Sequence, residues 1–426
     1  MLMAYYDCKK HKQNTNSAIE FSMNYEKALI ELRDEINAHT YKPGTSICFV
    51  VSRPRYREVF AASFRDRIVH HYISLRLTPL FEKIFNPRAY NCRKGKGQLY
   101  GVKMLERDIR ECSENYAKDC YVLTFDIKNF FISINRLMLA MKVDDFIVQY
   151  YEGEDKEELR YACQTVLLHD PTENCERRSP KSMWLHLATG KSLFTTGKGD
   201  GVAIGNLFAQ IFANFLLTPL DWYIESLGFR YHGRYVDDND IVDKNKQKLL
   251  AAIPKIRQFL ATLGLRLNEK KTYIQHYSKG VEFTGTIIKP GRTYVCNRTV
   301  HNFSESVRQL NRAKNAEAVR KAVSSINSYL GILRQNTEYA NRCRILSRIS
   351  PGIFKEYIFI RGHYDIVSLK PQHNPLFHIY KSISNEKSKR PTYSVAVRRT
   401  QPSTPKTATH SIYSHRRTAW QFTHYL

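Results

Sequence analysis

The sequence has few of the features that mark membrane, secreted or zinc-binding proteins. Its apolar runs fall short of the roughly 18 residues that a membrane-spanning helix needs, and residues 1–10 lack the basic-then-apolar layout of a secretion signal. The nine cysteines include no CxxC pair, so they indicate neither a zinc site nor a disulfide framework, and we expect reduced, buried thiols. We therefore expect a globular, cytoplasmic chain with no membrane partner.

Acidic residues are also few in comparison with basic ones. The chain has 40 Asp and Glu against 66 Lys and Arg, a formal net charge of +26 that is spread along its whole length. Such an excess indicates a long polyanion as partner, because basic side chains that neutralise phosphates release counterions. A basic protein without a nucleic-acid ligand is the alternative, since charge alone specifies no ligand.

The length of 426 residues exceeds one minimal domain, so we expect two or three subdomains. Helical apolar spacing predicts helices over residues 24–38, 64–77, 102–112, 206–217 and 247–263. Strands are predicted over residues 46–52, 121–125 and 281–288, and as two short segments around an acidic turn within 231–241. Residues 152–196 are predicted to form an irregular insertion, and residues 304–346 two helices with a break near 327–331.

The end of the chain differs in composition from the rest. From about residue 387 it is rich in Ser, Thr, Pro, Arg and His, with almost no acid and little aliphatic content. This composition is typical of a flexible linker or of an RNA-binding arm. The aromatic end, with Trp420, Phe422, Tyr425 and Leu426, indicates docking on another surface as an alternative.

Three aspartates lie at the ends of predicted strands. Asp126 follows the apolar run YVLTF, and Asp237 with Asp238 lies in the tight turn of YHGRYVDDNDI. Adjacent carboxylates repel each other unless a cation lies between them, and carboxylate oxygens are the ligands that Mg²⁺ prefers. Two such ions about 3.5 to 4 Å apart deprotonate a primer hydroxyl and neutralise departing pyrophosphate in polymerases. The three aspartates therefore predict a two-metal site, whereas a solvated acidic turn is the alternative for either motif alone.

The order of these motifs resembles that of bacterial reverse transcriptases over residues 52–331. FRDRIVHHYI and YNCRKGKG resemble the fingers blocks, and FDIKNFFISI and YVDD the two catalytic blocks. GVAIGNLFAQIFANFLL resembles the block that contacts template and nucleotide, LRLNEKKT the lysine block, GVEFTGTIIKP the primer strand and SYLGILRQ the start of the thumb. In detail the motifs are similar to those of diversity-generating retroelement enzymes and of related defence-associated (unknown-group) reverse transcriptases.

The resemblance implies an α+β fold of the right-hand polymerase type. The N-terminal extension and fingers would cover residues 1–118, and a palm with a ferredoxin-like sheet and helices on one side residues 119–290, including an insertion near 152–196. A helical thumb would follow over residues 291–370 and a basic C-terminal extension over 371–426.

The resemblance also implies roles for individual residues. The two metal ions would be held by Asp126, Asp237 and Asp238, with the carbonyl of Ile127 completing one coordination shell. Lys270 or Lys271 would be the general acid for pyrophosphate, and the resemblance does not distinguish them. Contacts to the incoming nucleotide are implied for Arg93, Lys94, Lys96, Phe131, Ile204, Gly205, Gln210 and Tyr235. Contacts to nucleic acid are implied for Arg65, Arg67, Asn206 and Lys279.

Some of these assignments have plain structural alternatives. Phe131 falls at the position of a steric gate against ribonucleotides, but a Phe-Phe pair is equally typical of a core, and the basic loop of residues 90–97 is equally typical of a solvated surface. Ile204 stands where many reverse transcriptases have glutamine, which predicts lower fidelity. Departures from the diversity-generating pattern, none of which removes a metal ligand, are Phe208, Ala209, Asn239 and Thr284.

We therefore expect an RNA-directed DNA polymerase that uses Mg²⁺, or Mn²⁺ as an alternative. Its expected partners are a cognate structured non-coding RNA, a DNA primer or product, deoxynucleoside triphosphates, and an accessory protein or a second copy of the chain. Antiphage defence and sequence diversification are both open as biological roles. The rival functions are template-independent nucleotide addition, RNA synthesis on the same fold, and a catalytically silent RNA-binding scaffold.

Overall fold

The chain folds as two units of mixed helix and sheet content, one formed by residues 1–293 and one that begins at Tyr294. The computed structural model describes residues 1–10, 15–52 and 55–373. The α+β fold class predicted from the sequence is confirmed. The basic extension predicted from residue 371 lies outside the described residues from residue 374 onward, as does the aromatic end of the chain. None of the helices in the described ranges is both long and apolar enough to cross a membrane.

In the described residues of the first unit there are ten α-helices and the larger sheets. Its helices are α1 (Leu2–Lys9), α2 (Asn16–Met23), α3 (Tyr25–Asn37), α4 (Phe64–Ile84), α5 (Gln98–Cys112), α6 (Phe130–Ser133), α7 (Arg136–Tyr150), α8 (Lys156–Leu168), α9 (Leu207–Ser226) and α10 (Lys246–Thr262) within the described residues. Its strands are β1 (Ser46–Val51), β2 (Arg57–Ala61), β3 (Tyr121–Asp126), β4 (Cys175–Arg177), β5 (Tyr231–Tyr235), β6 (Asp238–Asp243), β7 (Tyr273–His276), β8 (Val281–Phe283) and β9 (Thr286–Lys289). Strand β10 (Arg292–Val295) crosses the boundary between the units.

A four-stranded antiparallel sheet in the order β5-β6-β3-β7 forms the centre of this unit. Together with α9 and α10, its strands follow one another along the chain as β-α-β-β-α-β, which is the ferredoxin-like topology predicted from the sequence. Leu123, Phe125 and Ile241 belong to the same buried cluster as α9 and α10. Val122 and Val242 belong to a cluster with α5, so a further helix covers part of the other face. The prediction of helices on one side is therefore incomplete.

A smaller sheet in the order β2-β1-β4 includes one strand of the insertion. Strand β2 pairs antiparallel with β1, and β4, which lies within the insertion, pairs parallel with β1. The insertion is therefore joined to this sheet by backbone hydrogen bonds.

Two helices of the first unit continue through a proline, well beyond their predicted ends. Helix α4 continues through Pro79 to Ile84, and α9 continues through Pro219 to Ser226. Buried apolar residues after each proline, such as Phe81 in α4, keep the helix packed against the core. Packing therefore outweighs the hydrogen bond that proline removes.

Three sequence predictions were wrong in detail. Residues 152–196 are not irregular throughout, because α8 occupies 13 of them. Residues 281–288 form a hairpin of β8 and β9 instead of one strand, since Thr284 and Gly285 both adopt positive φ in the turn. Residues 304–346 belong to three helices instead of two, because the chain breaks at residues 312–315 and 334–338 and not near 327–331. At the first break, Asn315 caps the next helix through a 2.8 Å bond from the Ala318 N–H.

The second unit has its own buried core in the described residues 294–373. Its elements are helices α11 (Asn297–Asn311), α12 (Ala316–Leu333), α13 (Tyr339–Leu346) and α14 (Pro351–Glu356), and strands β11 (Ile358–Arg361) and β12 (Ile366–Leu369). The side chain of Asn327 joins α12 to β12, because it donates to the Val367 carbonyl at 2.8 Å and accepts from the Val367 N–H at 2.9 Å.

All nine cysteines lie within the described residues and are thiols. Six of them are buried as predicted, but Cys92 is exposed, and Cys175 and Cys343 are half-buried. The prediction of buried thiols is therefore wrong for these three.

Candidate active site

One row of side chains crosses the central sheet at the end where β3 stops. Asp126 of β3 lies directly opposite Asp238 of β6, and Asp238 also lies opposite Tyr235 of β5. Directly paired residues on antiparallel strands project from the same face, with Cβ atoms about 4.5–5.5 Å apart. Asp237 lies between β5 and β6, and Ile127, which follows Asp126, is fully buried. The fold therefore brings the three predicted aspartates to one end of the sheet.

The turn that carries Asp237 has an unusual backbone conformation. Val236 has a φ of 60°, which β-branched residues rarely adopt. Its N–H donates to Asn91 Oδ1 at 3.1 Å, and Nη1 of Arg234 donates to its carbonyl at 3.2 Å. Arg234 is buried and donates two hydrogen bonds, of 2.7 and 2.6 Å, to the buried carboxylate of Asp221. These contacts hold the turn in place, and no local sequence pattern marked them.

Burial and mutual repulsion act on the two adjacent aspartates. Burial, and after it the charge of Asp237, raises the pKa of Asp238 to about 6. Burial also raises the pKa of Asp237. Both carboxylates are therefore harder to ionise than an exposed aspartate, and a cation placed between them would offset that cost.

Positive side chains that the sequence analysis did not single out act on this pair. The charges of Arg55 and Arg57 oppose the rise in the pKa of Asp238, and those of Lys191 and Arg57 oppose the rise in the pKa of Asp237. The run RPRYRE is a basic cluster that points to the two arginines. The tripeptide GKS around Lys191 carries no comparable signal.

Lys271, and not Lys270, contacts the candidate site. The ammonium of Lys271 forms an ion pair with the carboxylate of Asp126. Lys270 lies in the same short 3₁₀ turn and is exposed. Of the two lysines that the resemblance left open, Lys271 is therefore the one beside an aspartate, and its role as a general acid stays a prediction.

The basic glycine loop makes contacts within the protein. Arg93 is paired with Glu82 at 2.8 Å and also donates to two loop carbonyls. Lys96 donates to the Pro87 carbonyl at 2.6 Å, and burial lowers its pKa to about 8. Lys94 is exposed. Arg93 and Lys96 thus stabilise the loop in this structure, and their contact with a triphosphate stays a prediction.

Gly205 lets the segment before α9 approach strand β2. It has a φ of 120°, and a Cβ built on it would lie 2.6 Å from the carbonyl oxygen of Phe60. The Phe60 N–H donates to the Ile204 carbonyl at 2.8 Å, and the Ala62 N–H donates to Asn206 Oδ1 at 3.2 Å. Glycine is therefore required here by the protein's own backbone, and its approach to a nucleotide stays a prediction.

The remaining predicted nucleotide contacts are partly buried. The ring of Phe131 lies 5.1 Å from that of Phe130, and its carbonyl accepts from the Val202 N–H at 2.7 Å. Gln210 Oε1 accepts a weak hydrogen bond from the Cys92 thiol at 3.8 Å. The steric-gate and core interpretations of Phe131 both remain compatible with this position.

The predicted nucleic-acid contacts lie apart along the chain. Arg65 is paired with Glu35 and lies 5.2 Å from the ring centre of Tyr41. Arg67 is half-buried in the same helix, and Lys279 is exposed after β7. Their contacts with nucleic acid stay predictions.

Comparison with known proteins identifies the family of this chain. Residues 42–288 match the family described as "Reverse transcriptase (RNA-dependent DNA polymerase)". The chain is also 21% identical over 296 residues to Protein YkfC of Escherichia coli (strain K12), a match that covers 60% of this chain and 69% of that protein. The match with the family defines a nucleotidyltransferase that takes a nucleic-acid template and deoxynucleoside triphosphates. The chain belongs to the reverse transcriptase family and is an RNA-directed DNA polymerase.

Enzymes of this family generally use Mg²⁺, and the donor set of the candidate site fits that ion. Asp126, Asp237 and Asp238 offer hard carboxylate oxygens. The ammonium of Lys271 pairs with Asp126, which shows that this carboxylate accepts a positively charged partner. Within the described residues, no three His, Cys, Asp or Glu side chains converge closely enough to hold a metal ion as they stand. The fit therefore lies in the chemistry and charge of the donors.

Proposed function

We propose that this enzyme copies a cognate structured non-coding RNA into DNA, and that Asp126, Asp237 and Asp238 hold two divalent metal ions at the growing 3′ end. The observation that carries this proposal is the cross-strand pair of Asp126 and Asp238, with Asp237 in the adjoining turn. Mg²⁺ is the ion we propose, with Mn²⁺ as the alternative. The carbonyl of Ile127 is proposed to complete one coordination shell.

Two divalent ions, when bound, activate the primer hydroxyl and neutralise the charge that develops on pyrophosphate. The contribution of this chain is to hold the oxygen ligands in fixed positions. Asp126 and Asp238 are held by the ladder between β3 and β6, and the turn with Asp237 is held by Asn91 and Arg234. Lys271, which reaches Asp126, is proposed to donate a proton to the departing pyrophosphate.

The proposed architecture is that of a right hand. Residues 1–118 would be fingers, residues 119–290 a palm that contains the ferredoxin-like sheet, and residues 291–370 a thumb. The net charge of +26 supports a long phosphate backbone as ligand. RNA in A-form geometry is recognised mainly through its shape, its backbone and its 2′-hydroxyls, so we propose such contacts for the template.

Primer extension by the full chain tests this proposal. With an RNA template, a DNA primer, Mg²⁺ and deoxynucleoside triphosphates, we expect template-length DNA. Asp126→Ala, and the double substitution Asp237→Ala with Asp238→Ala, should each reduce the rate by at least about a hundredfold, since outer-shell changes alone cost 10–100-fold at metal sites. Asp119→Ala is the matched control, because that aspartate lies just before β3, at its opposite end, with a side chain that is 80% exposed.

Three outcomes would contradict the proposal. Product formed without any RNA template would support template-independent nucleotide addition, and equal product from ribonucleotides would support RNA synthesis. Unaltered biology in cells that carry the double aspartate substitution would support a silent RNA-binding scaffold.

Two biological roles are compatible with the proposed activity. Antiphage defence predicts loss of phage resistance when the aspartates are replaced, whereas sequence diversification predicts DNA copied from a repeat with adenine-directed changes. Sequencing the DNA made in cells distinguishes them, because its template identifies the role. An accessory protein or self-association is proposed for either role.

A further inference from the structure

The insertion between β3 and α9 is attached to strand β2 through a buried carboxylate. Glu58 of β2 is 5% exposed. It accepts three hydrogen bonds from residues 181–195, which we call the anchored segment: from the Ser192 hydroxyl at 2.6 Å, the Leu193 N–H at 2.8 Å and Trp184 Nε1 at 2.9 Å. Hydrogen bonds to a charged acceptor are stronger than neutral ones. The anchored segment is therefore held firmly on β2.

Ring contacts hold the same segment near its two ends. His186 stacks on Tyr56 with ring centres 4.9 Å apart. The guanidinium of Arg177, in β4, lies 3.7 Å from the ring centre of Phe194. The attachment to the small sheet thus extends over most of the anchored segment.

The anchored segment also reaches the loop that follows Asp126. Gly190 has a φ of 70°, and a Cβ built on it would lie 3.0 Å from Nδ2 of Asn129. Asn129 lies three residues after Asp126 and is itself left-handed, with a φ of 52°. Lys191 comes directly after Gly190, and its charge acts on Asp237. The segment therefore carries a cation to the end of the sheet where the aspartates meet.

From these contacts we propose that Lys191 binds the triphosphate of the incoming deoxynucleoside triphosphate, and that Glu58 is the positioning residue that presents it. This inference rests on the polymerase function proposed above. Ser192 and Leu193 are both fixed by Glu58, so the backbone beside Lys191 is fixed while the side chain remains exposed. A lysine ammonium suits phosphate as a point charge.

The charges around Lys191 support a polyanionic ligand. Arg57 acts on Asp237, as Lys191 does, and also on Asp238, whereas Arg55 acts on Asp238. Three cations therefore face the end of a sheet whose carboxylates would be neutralised by metal ions. A triphosphate placed there would meet positive charge on both sides, which favours its binding over that of a neutral ligand.

Steady-state primer extension with the full chain tests the role of Lys191. We expect Lys191→Ala to raise KM for the deoxynucleoside triphosphate about tenfold, the lower end expected for loss of a hydrogen bond to a charged group. The dissociation constant for primer–template should be unchanged, and Lys191→Arg should retain most of the wild-type KM. Lys181→Ala removes an equal charge from the same segment and should leave KM at the wild-type value.

Equilibrium binding provides a readout that does not depend on turnover. With a dideoxy-terminated primer, the dissociation constant of the next nucleotide should rise in Lys191→Ala by about the same factor as KM. Unchanged nucleotide affinity in Lys191→Ala, or an equal loss in Lys181→Ala, would overturn the inference.

The positioning role of Glu58 is tested by coupling to Lys191. Glu58→Gln should raise the nucleotide KM in the wild-type background but add little in the Lys191→Ala background, because residues that act through one another are not additive. Additive effects would show that Glu58 acts independently of Lys191. Ser192→Ala, which removes one of the three hydrogen bonds, applies the same test if Glu58→Gln does not fold.

The failure of this inference is distinguishable from that of the proposed function. A wild-type chain that makes no template-dependent DNA contradicts the polymerase proposal, and this inference with it. A wild-type chain that extends primers, together with a Lys191→Ala variant of unchanged nucleotide affinity, contradicts this inference alone.

Discussion

The ammonium of Lys271 is paired with the carboxylate of Asp126 at the end of β3. Asp126 in turn lies opposite Asp238 on the neighbouring strand. Lys271 therefore neutralises one member of a closely spaced pair of carboxylates. A divalent cation bound by Asp126 would compete with Lys271 for the same oxygen atoms.

This competition predicts opposite effects of Lys271→Ala on metal binding and on turnover. Mg²⁺ should bind more tightly in the absence of nucleotide, because its competitor is gone. Turnover should fall by about a hundredfold or more if Lys271 is the general acid, which is the usual contribution of such a group. Mg²⁺ titration and single-turnover primer extension measure the two effects.

Lys270→Ala is the matched control, since Lys270 adjoins Lys271 and is exposed like it, but Lys271 is the one paired with Asp126. Lys270→Ala should change neither the affinity for Mg²⁺ nor the rate of primer extension appreciably. A Lys271→Ala enzyme with a wild-type rate constant for nucleotide addition would rule out the general-acid role.

Asp238→Asn is expected to stabilise the metal-free protein near neutral pH. Folding raises the pKa of Asp238 to about 6, so the folded state binds this proton more tightly than the unfolded chain does. The contribution of Asp238 to the free energy of unfolding is fully present below the pKa that this group has in the unfolded chain. It is lost as the pH rises through about 6. The loss at pH 7.5 is about 1–3 kcal/mol, and asparagine avoids it because it does not ionise.

Urea unfolding without divalent ions at pH 7.5 and at pH 4 checks this expectation. The increase in the free energy of unfolding caused by Asp238→Asn should be clear at pH 7.5. It should be small near pH 4, where the wild-type carboxyl is protonated in the folded chain. A variant no more stable than wild type at pH 7.5 would contradict the burial of this carboxylate.

Affinity for Mg²⁺ is expected to decrease as the pH is lowered through the same range. Metal ligands must be deprotonated, and both Asp237 and Asp238 have raised pKa values. The rise in unfolding temperature caused by Mg²⁺ should therefore be clear at pH 7.5 and weak at pH 5.5. Equal shifts at the two pH values would mean that these carboxylates do not bind the ion.

The buried pair of Arg234 and Asp221 predicts a large effect on both stability and activity. Arg234→Ala leaves a buried carboxylate unpaired, which typically costs about 3–5 kcal/mol, and it removes the hydrogen bond to the Val236 carbonyl. Arg230→Ala, at a neighbouring exposed position, should have little effect on the free energy of unfolding.

An apolar replacement separates the two roles of Arg234. Arg234→Met with Asp221→Leu should recover much of the lost stability, because it removes both buried charges. Activity should stay low, since the turn that carries Asp237 still lacks its hydrogen bond from Arg234. Full recovery of activity would show that this bond does not position Asp237.

Gly205→Ala should destabilise the protein or displace strand β2. The added Cβ would lie 2.6 Å from the Phe60 carbonyl oxygen at a φ of 120°, and such strained positions cost about 1–3 kcal/mol. Gly331→Ala is the control, because its Cβ would meet open space within α12 and a helical alanine is favoured by about 1 kcal/mol. The unfolding temperature should fall for Gly205→Ala and rise for Gly331→Ala.

The sequence allowed the elements that carry the aspartates to be predicted. The apolar run before Asp126 and the alternation around Asp237 are local patterns, and the ferredoxin-like order follows from the resemblance. Helix α8 was missed although its apolar residues have helical spacing, from Leu159 to Leu167. The β8–β9 turn was missed because Thr284 at positive φ has no reliable sequence signal.

The contacts around the aspartates could not be predicted in the same way. Asn91, Arg234 and Glu58 act through side chains that meet partners distant in the chain. Lys270 and Lys271 are adjacent and chemically identical. The direction of the backbone in the 3₁₀ turn before β7 decides that Lys271 is the one that contacts Asp126. Such pairings depend on tertiary structure and leave no local pattern.

The pairing of β3 with β6 also has a consequence for synthesis on the ribosome. The insertion and α9 lie between Asp126 and Asp238 in the chain, so their meeting requires closure of a long loop, which is slow and entropically unfavourable. A nascent chain that ends before β6 already carries many basic side chains but has no complete catalytic centre. Polymerase activity that depends on this pair can therefore appear only after β6 has been synthesised and has paired with β3.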